Sequence, residues 1–97
     1  MLRDIFGEKL NTGDVVAYGV RHDNSGDLNV GIIKEIDDSK GILVRGITSA
    51  NMGKPYLNFR DGWTSSRQMV KLNNVPGKIL VPLKLHLAEY LKKKEAP

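Results

Sequence analysis

Asn11-Thr12-Gly13-Asp14-Val15-Val16-Ala17-Tyr18 is the stretch that decides the fold class. Its first four residues are dense in turn formers, and a run with two β-branched valines and an aromatic follows at once. A helix is disfavoured there by the β-branched side chains and by Gly19 so soon after. The reading is a turn that delivers a first strand.

Working outward from this strand, residues 21–27 read as a polar loop, and residues 28–36 as a second strand. Gly31 inside it marks a bulge or sharp bend of the kind small barrels need to curl. Asp37-Asp38-Ser39-Lys40-Gly41 reads as a hairpin connection, and residues 42–47 as a third strand. A polar loop follows over 48–54. Pro55-Tyr56-Leu57-Asn58-Phe59 reads as a fourth strand, Asp61-Gly62 as a tight turn, and residues 68–72 as a fifth strand. Asn73-Asn74-Val75-Pro76-Gly77 breaks the pattern. Beyond it Leu80, Leu83, Leu87 and Leu91 fall on one helical stripe. The spacing predicts a helix over 81–93, with Pro82 in its first turn and Lys92, Lys93 and Lys94 at its C-terminal end, where cations complement the helix dipole.

The expected fold is therefore mainly β: a small SH3-like five-stranded barrel over residues 1–77. Residues 78–97 form a C-terminal amphipathic helix that packs its leucines on the same domain and closes one open end. A length of 97 residues suits one domain with a modest core, and 40% hydrophobic with 27% charged residues argues against disorder. With no cysteine, disulfides and thiolate metal sites are excluded, and a reducing cytoplasm is the expected compartment. Residues 1–7 lack the apolar stretch of a secretory signal. No run approaches the roughly 20 apolar residues of a membrane helix, so no membrane partner is expected.

Charge is unevenly placed. Residues 1–39 carry a net −4, residues 40–78 a net +6, and residues 79–97 a net +2, for +4 in all. Such a middle segment forms one positive surface if its side chains share a face.

A resemblance then emerges from Asp4-Ile5-Phe6-Gly7, Leu10, Gly13-Asp14-Val15-Val16-Ala17-Tyr18, residues 28–33 with Gly31, and Ile42-Leu43-Val44-Arg45. This pattern resembles a group of short tailed-phage proteins that look like SH3-like or KOW-like barrels. The resemblance spans residues 4–46 and implies a fold and a viral origin, with no functional residue carried over. KOW domains place a basic residue beside a tight turn between their first two strands. Here the equivalent stretch is the longer, acidic Asp23-Asn24-Ser25-Gly26-Asp27, so the expected binding face lies elsewhere.

Catalytic constellations are lacking. His22 beside Asp23 is an adjacent pair in a loop, a poor geometry for general-base work, and no nucleophile-elbow serine accompanies it. His86, between two leucines, is expected at a rim or facing solvent. The spacing of Asp23, Asn24, Ser25 and Asp27 does not match a calcium loop, since Gly26 comes too early. Two distant histidines and no cysteine make no zinc site. Gly53-Lys54 and Gly77-Lys78 lack the rest of a phosphate loop. The expectation is a non-enzymatic protein without metal or cofactor.

Binding chemistry is concentrated in the basic middle segment. Lys54, Tyr56, Phe59, Arg60, Trp63 and Arg67 interleave cations with aromatics, the combination that single-strand binders use. The bland reading puts Phe59 and Trp63 in the core of a small domain. The leading expectation is DNA or RNA binding through Arg45, Lys54, Arg60, Arg67 and Lys71, with Tyr56 or Trp63 stacking and a steep salt dependence. The alternatives are docking on a host bacterial protein through a groove or edge strand, with Tyr90 and the lysines of the helix as a further contact face, or a virion or assembly component. A homodimer through an exposed leucine stripe is a further alternative on this reading.

Overall fold

The turn formers at 11–14 are clamped onto the second strand. The Gly13 N–H donates to the Ile33 carbonyl at 2.9 Å, and the Ile33 N–H donates to the Asp14 carbonyl at 2.9 Å. The Asp14 carboxylate accepts the Asn11 N–H at 2.8 Å, closing the turn on itself. The chain is seen here as a computed structural model, which describes residues 2–22, 25–48 and 59–95.

Five antiparallel strands follow: β1 (Val15–His22), β2 (Ser25–Asp37), β3 (Gly41–Thr48), β4 (Arg60–Thr64) and β5 (Met69–Lys71). They form one sheet in the order β4-β3-β2-β1-β5, and a helix, α1 (Gly77–Glu95), completes the chain. The protein is thus mainly β with one C-terminal helix.

Period-two alternation gives the sheet two buried faces. Leu10, Val16, Tyr18, Ile33, Ile42, Val44 and Met69 form one core, with Leu2 and Ile36 packed against it. Val15, Ile32, Ile47, Ile79 and Leu83 form the other, joined by Val30, Phe59, Leu72, Val75, Leu80 and Leu87. The helix therefore covers a sheet face, mainly β2 and β3. In the first core Tyr18 packs against Gly46, where an added Cβ would run into the phenol hydroxyl.

Several local expectations are corrected. Arg21 and His22 pair with Gly26 and Ser25, so the polar stretch after β1 is largely strand. Gly31 is in register with both Val16 and Gly46. The irregularity instead falls between Ile33 and Glu35 in the β2–β3 ladder, which makes Lys34 the extra residue. A bulge of this kind lets two successive side chains reach one side of the sheet. Of the strand expected over 55–59, only Phe59 lies within the described residues, and the strand observed begins one residue later. Asp61-Gly62 is not a turn. It pairs across β4 with Arg45 and Val44, because the Arg45–Asp61 ion pair outweighs the local turn preference.

The helix starts at Gly77, four residues before its expected start. Pro76 precedes it, where a missing N–H costs nothing, and its carbonyl accepts from Ile79 at 3.0 Å and Leu80 at 2.9 Å. Pro82 consequently sits past the first turn, where it leaves the Lys78 carbonyl without its helical N–H. Ile79 and Leu83 are buried and Leu80 and Leu87 partly so, but Leu91 is 38% exposed.

One sheet edge is covered by the N-terminal segment. The Ile5 N–H donates to the Met69 carbonyl at 3.1 Å, and the Asp4 carboxylate accepts the Lys71 N–H at 2.9 Å. Asp4 also accepts the N–H groups of Phe6 and Glu8, each at 2.9 Å. Hydrogen bonds to its charged form, that of Lys71 foremost, hold its carboxyl below the usual range. A buried carboxylate thus satisfies the exposed edge of β5, a protection such edges need.

Candidate nucleic-acid interface

Among the described residues, cations meet aromatics in two places. The first lies between the sheet and α1. Lys34, its side chain only 3% exposed, donates to Asp61 at 2.7 Å. Arg45 forks onto the same carboxylate, with Nε at 2.7 Å and a terminal nitrogen at 3.1 Å. The Arg45 guanidinium, and after it Lys34, hold the Asp61 carboxyl below its ordinary range against the opposing effect of burial. The other terminal nitrogen of Arg45 meets His86 Nδ1 at 3.0 Å. Arginine only donates, so Nδ1 accepts in this contact. The His86 ring stacks on Phe59 with centroids 4.0 Å apart. His86 therefore faces the sheet while staying half-buried, which fits the rim position and not the solvent-facing one of the two expected for it.

The Lys34 bulge extends this cluster. Lys34 Nζ sits 4.0 Å from the Tyr90 ring centre, and the next residue, Glu35, accepts the Tyr90 hydroxyl at 2.8 Å. The hydrogen bond to Glu35 raises the Tyr90 phenol above its usual pKa. Two consecutive strand residues thus grip one helix residue. Both cations of the cluster, Lys34 and Arg45, meet the Asp61 carboxylate, and the cluster joins α1 to β2, β3 and β4.

The second place is a groove of about 550 Å³ between the β2–β3 turn and the β4–β5 connection. Trp63, Arg67 and Lys40 line it, with the hydroxyl residues Ser39, Thr64, Ser65 and Ser66 and one carboxylate residue, Asp38. Trp63 is 43% exposed, and Lys40 Nζ lies 5.7 Å from its ring centre. The turn that carries Lys40 is built by Asp37, whose carboxylate accepts the Ser39 hydroxyl at 2.7 Å and the N–H groups of Ser39 and Lys40 at 2.8 and 3.0 Å. Those bonds, the Ser39 hydroxyl first, lower the Asp37 carboxyl to about 2. Gly41 ends the turn at φ +103, in the left-handed region. On the other wall, the Ser65 hydroxyl caps the 3₁₀ turn Ser66–Gln68 by accepting the Arg67 N–H at 3.2 Å.

The residues expected to form one basic face are therefore divided. Trp63 and Arg67 come together in the groove. Arg45 is held in the interior cluster. Lys71 is on β5, at the far side of the sheet order from β4, and lies 3.5 Å from Asp14. Arg60 is exposed on β4, but strand alternation turns it to the face opposite Asp61 and Trp63. Lys54 and Tyr56 lie outside the described residues, as does Asp23 of the His22–Asp23 pair. Sequence reasoning missed Lys40, whose signal was its place in an Asp-initiated turn, and missed Lys34, whose signal was a charge within an apolar strand.

Residues 2–72 match a family described as a domain of unknown function, DUF7205. The chain belongs to the DUF7205 family. The DUF7205 match ends one residue beyond β5, so it takes in the whole sheet and both walls of the groove, whereas α1 lies past it. No curated protein and no solved structure matches the chain. Among the described residues of this DUF7205 protein, no helix is long and apolar enough to cross a membrane, and no cluster of three or more His, Asp or Glu could hold a metal.

Proposed function

We propose that this protein is a small non-enzymatic binding domain with an SH3-like barrel. In this reading it is of tailed-phage origin, acts in the host bacterial cytoplasm and binds DNA or RNA through the groove between the β2–β3 turn and the β4–β5 connection. The observation that carries the reading is Trp63, a large aromatic 43% exposed on a strand, with Lys40 and Arg67 in the same groove. An exposed aromatic flanked by cations is the arrangement that stacks a base and neutralises its phosphate. Among the described residues Arg67 pairs with no carboxylate, in contrast to Arg45 and Lys71. The test is fluorescence anisotropy of labelled oligonucleotides at low salt. Binding is expected, and reversing Lys40 and Arg67 together to glutamate should abolish it. Loss of binding at low salt in the unaltered protein would remove the reading.

A second reading, docking on a host bacterial protein, is favoured by one observation. A hollow of about 390 Å³ lined by Val30, Leu72, Val75, Pro76 and Ile79 lies where β5 leads into α1, and it is mainly apolar. A pull-down from nuclease-treated bacterial lysate separates the two: a stoichiometric protein that survives digestion supports docking, and its loss on digestion supports nucleic acid.

A further inference from the structure

Duplex and single-stranded nucleic acid make different demands on a surface. A duplex hides the faces of its bases and presents one charge per roughly 1.7 Å of axis, so binding without base contacts needs a row of unpaired cations. Among the described residues this groove does not supply one. Arg45 is forked onto Asp61, Lys71 is paired with Asp14, and Arg60 is turned to the other face. Lys40 and Arg67 are the described cations left at the groove.

What the groove does supply is a π-face. Trp63 is partly open to solvent, and a stacking platform of this kind reaches only a base that has left its helix. The space, about 550 Å³, is in the range that accommodates one small ligand. Arg67 lines the groove together with Thr64, Ser65 and Ser66 and pairs with no carboxylate among the described residues, so it can draw a phosphate there. The Ser65 oxygen accepts the Arg67 N–H, which leaves the hydroxyl proton available to a phosphate oxygen.

We infer that the groove takes an unpaired nucleotide of single-stranded DNA or RNA, its base stacked on Trp63 and its phosphate at Arg67, and that it does not hold a duplex. This rests on the nucleic-acid reading above and narrows it. It also revises the expected salt dependence. Two phosphate contacts on a single strand give a slope of log affinity against log salt of roughly −1.4, a shallow value.

Trp63 is the sole tryptophan of the chain, so its fluorescence reports this groove directly. The full chain is titrated with a short mixed-sequence DNA strand, its RNA counterpart, and the same DNA annealed to its complement. Both single strands are expected to quench the fluorescence, and the duplex is not. Trp63→Ala, followed by anisotropy, should weaken single-strand binding roughly ten- to a hundred-fold, while Trp63→Phe, which keeps a ring, should retain most of it. A duplex bound as tightly as the single strands, with Trp63→Ala without effect, overturns the single-strand inference and leaves the broader reading standing. No binding by any of the three at low salt overturns both.

Discussion

Lys34 lies 4.0 Å from the centre of the Tyr90 ring, and Lys40 lies 5.7 Å from that of Trp63. Both sites place a cation over an aromatic, and each has an arginine nearby, Arg45 in the first and Arg67 in the second. They differ in their carboxylates. Asp61 and Glu35 stand within hydrogen-bonding reach in the interior cluster and neutralise it, so it fastens the helix to the sheet. At the groove Asp37 is engaged with its own turn, Asp38 lines the turn side, and Arg67 pairs with no carboxylate among the described residues. Basic and aromatic residues at similar spacing therefore make either a structural clasp or an open surface. The placement of acidic side chains decides which.

The comparison can be broken from either side. Removing the carboxylate from the clasp should have the largest effect. Asp61→Asn leaves Lys34 charged and buried without its counter-ion, and losing a partner of a buried pair costs about 3–5 kcal/mol. Asp61 keeps about a third of its exposure, so water offsets part of this, and a loss of roughly 2–3 kcal/mol is expected in urea denaturation. A loss below about 0.5 kcal/mol, the range of ordinary surface changes, would mean that the clasp contributes little.

Adding a carboxylate to the groove is the converse change. Gln68 is exposed and lines the groove beside Trp63 and Arg67. Gln68→Glu should lower oligonucleotide affinity by about ten-fold, near 1.4 kcal/mol, while stability stays within about 0.5 kcal/mol. Unchanged affinity would show that acidic placement does not separate the two sites.

The smallest effect is the response to acid. The folded Asp37 carboxyl, at about 2, binds a proton less readily than in the unfolded chain, where its ordinary value is 3.8. Its contribution to stability is therefore complete above about pH 4 and is lost as pH falls from 3.8 towards 2. Asp61 is lowered too, so the clasp weakens in the same direction. Carboxyl chemical shifts followed by NMR from pH 5 to pH 2 should show an Asp37 midpoint well below 3.8, at about 2. An Asp37 midpoint at 3.8 would contradict the turn geometry.

The parts of this fold that were legible in the sequence are those set by local chemistry. Strands β1 to β3 followed from valine and isoleucine runs bounded by turn formers, and the leucine spacing marked a helix. Two of the misreadings share one cause. Asp61-Gly62 carries a local turn signal, but its conformation is fixed by Arg45, sixteen residues away in sequence. Gly31 carries a local bulge signal, but the bulge falls at Lys34, whose amine is drawn to Asp61 and Tyr90. The early start of α1 was hidden because proline and glycine signal a break and a helix N-terminus alike. For the groove, Trp63 and Arg67 were legible as types. Lys40 joined them only because the Asp37 turn brings it back over β4.

The covered edge of β5 has a consequence for how molecules of this protein can associate. A sheet with two bare edges can add copies at both and grow without limit. Here the chain's own Asp4 and Ile5 already occupy one edge, so any edge-to-edge pairing would have to use the other. Two copies joined in that way would present only sealed edges outward, and growth would stop at a pair instead of continuing into a fibre.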